Sequence, residues 1–123
     1  MKKIFLTFIV LLFPVSVFAA NWVEVSHKVY VNTDNLIPSG KTQSFWVKWL
    51  NPGDWDLVNK QKVWYEMRYT NVYCTSQEMS TSTSTSYDLN GKVIDSFSAY
   101  KEYRFKIVPE SIGEALYEFV CNY

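Results

Sequence analysis

The stretch Pro109-Glu110-Ser111-Ile112-Gly113-Glu114-Ala115-Leu116-Tyr117-Glu118-Phe119-Val120-Cys121 holds a helix start, a short amphipathic helix and a cysteine. Pro109 ends the preceding strand pattern. Ser111 followed by Glu114 is a capping box, in which the hydroxyl accepts one backbone N–H and the glutamate reaches back to another. Ile112, Leu116, Phe119 and Val120 fall on one side at helical spacing, and Glu114 and Glu118 on the other. So short a helix persists only when packed, and it is expected to lie across one face of a sheet. The other cysteine in the chain is Cys74. If the two pair, the bridge closes a loop of about 46 residues and contributes about 4 kcal/mol in the chain-entropy model. The alternative is two buried free thiols.

Upstream, the patterning is that of strands. Trp22-Val23-Glu24-Val25-Ser26 alternates as a half-buried strand does, and His27 to Val31 either continues it or pairs back. Asn32 to Asn35 is turn chemistry, with Leu36-Ile37 plugging the core before Pro38-Ser39-Gly40. From Lys41 to Leu50, Phe45, Val47 and Trp49 share one face, and Trp46, Lys48 and Leu50 the other. From Lys62 to Cys74, Val63, Tyr65, Met67 and Tyr69 alternate with Trp64, Glu66 and Arg68. Val72 and Cys74 join the Trp64 side if no bulge intervenes. That side must look toward the helix, so either the helix covers only the strand end or a bulge shifts the register.

Ser80 to Ser86 alternates serine and threonine. Threonine is β-branched, so the run reads as a solvated strand rather than a flexible linker. Met79, Thr81, Thr83, Thr85 and Tyr87 would then share a face. Asn90-Gly91 is a hairpin signal with a two- or three-residue loop. Val93 starts the return strand. Glu102 to Val108 alternates as a further half-buried strand.

The N-terminus is Met1-Lys2-Lys3, an apolar run from Ile4 to Val17, and Phe18-Ala19-Ala20. These are the parts of a secretory signal peptide, with cleavage after Ala19. The run is too short for a membrane span. Residues 1–19 are thus expected to be a leader and 20–123 a single domain. An oxidising destination favours the disulfide. No cysteine follows the cleavage site, which gives no place for a lipid anchor.

Net charge is zero for the whole chain, and loss of Lys2 and Lys3 leaves the remainder slightly acidic. Without a basic stripe, nucleic acid is not expected as a partner. Aromatic residues make up 18% of the chain. That exceeds what so small a core must bury, so some are expected to be exposed, either as an interface patch or as tyrosines lying flat on a sheet over a tryptophan-rich core.

An exported chain with a Trp-x-x-Val start, the mid-chain Cys74, an Asn-Gly-Lys-Val-Ile-Asp-Ser hairpin return and a Pro-x-Ser-x-x-Glu-x-x-x-x-x-Val-Cys end resembles the surface-adhesin protein E family of Gram-negative bacteria. The match runs from Trp22 to Cys121. The resemblance implies an antiparallel sheet of about five to six strands backed by a C-terminal helix, with a Cys74–Cys121 disulfide between them. It implies an outer-surface or periplasmic location and adhesion to host proteins such as vitronectin, laminin and plasminogen, with a homodimer among the implied assemblies. It supplies no binding residues here.

Catalytic readings are thin. His27 is the single histidine, and no Gly-x-Ser-x-Gly elbow accompanies it, so it reads as a surface or strand-end residue. Asp54 and Asp56 flank Trp55 as a sugar or calcium site might be drawn, but a solvated turn explains them. Glu66 and Arg68 read as a surface ion pair or, less simply, a cleft pair. No cofactor or metal site is expected, and no enzyme. The expected fold is α+β, and the expected function is non-catalytic binding of an adhesin kind. The alternative is a periplasmic accessory or inhibitor protein with a bacterial partner. A small hydrolase is the remotest reading.

Overall fold

Turn residues and strand alternation lay the chain out as an antiparallel meander. The computed structural model describes residues 21–52, 55–56 and 60–123. The expected leader, residues 1–19, therefore lies outside the described residues, as do Asp54 and the side chains of Trp55 and Asp56. The strands are β1 (Trp22–Ser26), β2 (Val29–Asn32), β3 (Thr42–Leu50), β4 (Trp55–Asp56), β5 (Gln61–Lys62), β6 (Tyr65–Tyr73), β7 (Glu78–Tyr87), β8 (Val93–Ser98) and β9 (Phe105–Lys106). One helix, α1 (Ile112–Cys121), follows them. The main sheet runs β1-β2-β3-β6-β7-β8, with β9 also on β7, while β4 and β5 pair separately. The α+β architecture expected from the sequence is the one observed.

His27 and Lys28 turn the chain back, with Lys28 at a φ of +64°, so β2 pairs with β1 rather than extending it. The β3–β6 register is unbroken from Thr42↔Tyr73 to Leu50↔Tyr65. No bulge therefore shifts β6. Glu66, Arg68, Thr70 and Val72 share the helix side with Gln43, Phe45, Val47 and Trp49. The helix covers the Val72 end of that side. Val72 and Val120 are fully buried, and Leu116 nearly so. Beside them Cys74 and Cys121 form the disulfide, their Cα atoms 5.8 Å apart. Val29, Val31, Phe45 and Val47 complete the core from β2 and β3.

The helix starts as its sequence prescribes. Ser111 caps it, accepting the Glu114 N–H at 3.2 Å, and the Glu114 carboxylate accepts the Glu110 N–H at 2.9 Å. Gly113 permits a close approach to the sheet, since a Cβ there would stand 3.0 Å from the Met79 sulfur. The other end is anchored by Gln43, a buried polar residue within the apolar face. Its Nε2 donates to the carbonyls of Ile37 at 2.7 Å and Val120 at 3.0 Å, and its Oε1 accepts the Ile37 N–H at 2.9 Å. One amide thus satisfies a last-turn carbonyl that the helix itself leaves unpaired.

Four expectations need correcting. Leu36 plugs the core, but Ile37 is exposed, because Gln43 holds its backbone rather than its side chain. The serine–threonine run is a strand, yet its alternation breaks. Tyr69 pairs with Thr83 and Thr70 with Thr81, leaving Ser82 as an extra residue. Met79 and Thr81 therefore face the helix side, whereas Thr83, Thr85 and Tyr87 face away. Only Phe105–Lys106 of the 102–108 segment is a strand, and Tyr103 is 79% exposed. Most of the outer edge of β7 is already taken by β8, which pairs Thr83 to Tyr87, leaving β9 Glu78 and Met79. Finally, Glu66 is buried, so its pair with Arg68 is not a surface pair. The open question at Asn90-Gly91 is answered by a three-residue loop. Asp88 N–H donates to the Lys92 carbonyl at 2.9 Å, and Gly91 adopts a φ of +83° that a side chain would strain.

Candidate functional site

The side of the sheet opposite the helix is built from the other half of each strand's alternation. Tyr30 of β2 stands opposite Lys48 of β3. Trp46 and Lys48 stand opposite Tyr69 and Met67 of β6. Tyr65, Met67 and Tyr69 stand opposite Tyr87, Thr85 and Thr83 of β7. These side chains are half-buried, mainly by one another. Among the described residues the single helix packs on the other side, so no helix covers this face.

Its aromatic rings are organised. Trp46 meets Tyr69 edge to face with centroids 5.1 Å apart. Tyr65 stacks on Tyr87 at 4.5 Å. The Lys48 ammonium lies 5.0 Å from the Trp22 ring centroid and 5.8 Å from that of Tyr65, a cation–π arrangement. Burial holds the Tyr65 phenol above its ordinary range, helped by the nearby Tyr87 and Asp88 charges. Rings with polar tips on a rigid sheet suit protein recognition, because large contact area is ordered with little loss of side-chain freedom.

The remainder of this face is hydroxylated and charged. Ser44 donates to Asn71 at 2.7 Å, and Asn71 donates to Ser80 and Ser82 at 3.2 and 3.0 Å. Tyr73 donates to Glu102, which also accepts from Ser80 at 3.1 Å. Arg104 binds the other Glu102 oxygen at 3.3 Å and lies 3.7 Å from the Tyr73 ring centroid. The Tyr73 hydrogen bond, with help from Ser80 and Arg104, holds Glu102 below the usual carboxylate range. Burial and that same bond push the Tyr73 phenol up. The cluster ties the β8–β9 connection down onto β6 and β7.

Of His27, Asp54 and Asp56, only His27 has a described side chain. His27 is exposed in the β1–β2 turn. Asp54 lies outside the described residues, and Asp56 is described only as a backbone partner of Gln61. Among the described residues, no group of three His, Cys, Asp or Glu side chains could hold a metal, and no helix is long and apolar enough to cross a membrane. Composition indicated an aromatic excess without naming the residues that cluster. They could have been drawn from β3 and β6, where Trp46 and Tyr69 fall on the side away from the helix. Their neighbourhood depends on strand pairing that composition does not carry.

Comparison with known proteins agrees with this architecture. No curated protein matches the sequence. The fold resembles Haemophilus influenzae protein E in crystal form II, with a TM-score of 0.60 at 11% identity over 89% of this chain and 94% of that one. It also resembles protein E from non-typeable Haemophilus influenzae, with a TM-score of 0.57 at 11% identity over 89% of this chain and 81% of that one. At that identity the likeness is one of fold. The sequence itself matches the family described as Surface-adhesin protein E over residues 22–122, and the chain belongs to that family.

Proposed function

We propose that this chain is an exported, non-catalytic adhesin that binds a host matrix or serum protein through its uncovered aromatic face. On this reading residues 1–19 are the export leader and 20–123 the binding domain. The observation that carries it is the Trp46–Tyr69 and Tyr65–Tyr87 platform, half-buried on the sheet side opposite the helix. Family membership supports an adhesive role, and an exported setting suits the disulfide.

The test is binding of the purified domain to immobilised vitronectin, laminin and plasminogen. Saturable binding to at least one is expected. It should weaken at least tenfold in a Trp46→Thr/Tyr69→Thr variant that unfolds near the parent midpoint. Absence of saturable binding to all three would refute the host-protein reading. Protease treatment of intact cells should digest the domain, whereas protection would place it in the periplasm and favour a bacterial partner.

A further inference from the structure

The helix covers only part of its side of the sheet, and a half-open cavity of about 310 Å³ lies beside it. Its wall is largely apolar. Val29, Val47 and Met79 form the floor, and Leu116 and Ile112 come from α1. Phe105 and Val108 extend the apolar lining outward, and both are exposed. Arg68 is the one charged residue in the lining among the described residues. Its guanidinium lies 5.3 Å from the centroid of the Trp49 ring. It is held there by buried Glu66, which accepts Nη2 at 2.7 Å and Nε at 2.9 Å on a single oxygen. Glu66 thus balances the charge and takes the Nε–Nη2 side of the guanidinium, leaving its Nη1–Nη2 edge as the donor pair at a cavity that is otherwise greasy.

We infer that this cavity binds a medium-chain carboxylate, with the acyl tail between helix and sheet and the carboxylate on Arg68. A sealed apolar cavity of about 150 Å³ accommodates benzene, so roughly twice that volume suits a chain of about ten carbons. The head group follows from the guanidinium, whose planar fork matches a carboxylate and offers about five donors, of which Glu66 engages Nε and Nη2. Thr70 and Thr81 also line the wall and place hydroxyls near that end. The site lies on the opposite side of the sheet from the aromatic platform, so its occupancy is independent of what covers that platform.

The test is calorimetric titration of the purified protein with sodium decanoate below its micelle concentration, alongside acetate and decyltrimethylammonium. Saturable one-to-one binding of decanoate is expected, at least tenfold tighter than the cation, with none for acetate. Decanoate should shift the amide resonances of Thr81, Phe105 and Gly113. A Thr81→Phe substitution, which fills the cavity from the sheet, should abolish the heat. Comparison of the three probes requires no variant, so a misfolded substitution does not decide the matter. No saturable decanoate binding, equal affinity for anion and cation, or shifts confined to the Trp46–Tyr69 face would each overturn the inference.

Discussion

The two sides of the sheet are made by the same strands, and they differ in how they are finished. On the helix side, Phe45, Val72 and Val120 are buried to near completeness, and a disulfide and the Gln43 amide fix the covering element. On the opposite side, rings and hydroxyls pack against their lateral neighbours, and only the Tyr73 end meets a further segment, through Glu102 and Arg104. On the function proposed above, the difference separates stability from recognition. The first side is stabilised by burial and covalent closure. The second has small lateral contributions, of the order of 1 kcal/mol per aromatic pair, and keeps its surface available. Substitutions should therefore sort by side.

The largest effect is expected from the closure itself. Replacing Cys74 and Cys121 together by serine should cost about 4 kcal/mol, read from urea unfolding. If the helix side is the seat of stability, the double variant should lose more than any single substitution on the aromatic side. Next comes Gln43→Leu, which leaves the Ile37 amide and the Val120 carbonyl without their partner. A loss of about 2 kcal/mol is expected for buried polar groups so orphaned. The fraying should appear as faster amide exchange in the last turn of α1.

On the uncovered side, the Trp46→Thr/Tyr69→Thr variant should lose about 1 kcal/mol of ring–ring coupling plus the partial burial of each ring, together less than the disulfide contributes, although it removes the centre of the platform. A loss as large as that from the disulfide would erase the contrast between the two sides.

The smallest effect concerns pH. The Glu102 carboxyl sits below its unfolded range because of Tyr73, so its contribution is present above the unfolded value and fades as pH falls through the lower folded one. The Tyr73 phenol sits above its unfolded range, so its contribution is full below that range and is lost as pH rises through the folded one. Stability of the parent should thus decline at both extremes. Glu102→Gln should flatten the acid limb, as checked by thermal unfolding from strongly acidic to neutral pH.

Much of this was legible before any coordinates. The capping box, the apolar side of α1, the Cys74–Cys121 staple and the alternation of β3 and β6 all read directly, because each depends on contrast between neighbouring residues. The failures occur where that contrast vanishes. A serine–threonine run carries no apolar mark, so the extra residue at Ser82 left no trace and the face of Met79 was assigned together with that of Tyr87. Alternation between Tyr103 and Val108 suggested a strand, but β7 had little free edge left to pair with it. Gln43 and Glu66 lie on the helix side because polar groups receive them there, the distant Val120 carbonyl in one case and the neighbouring Arg68 in the other. The aromatic platform is likewise a product of register: Trp46 and Tyr69 become neighbours only once β3 and β6 are aligned.

The span enclosed by the Cys74–Cys121 bond has a further consequence. It contains β7, β8, β9 and the connection where Tyr100 stands fully out in solvent and Tyr103 largely so. A protease that nicks this connection severs the backbone but releases no fragment, since the sulfur bridge still joins the two pieces. Such a molecule would migrate as one species until a reductant is added.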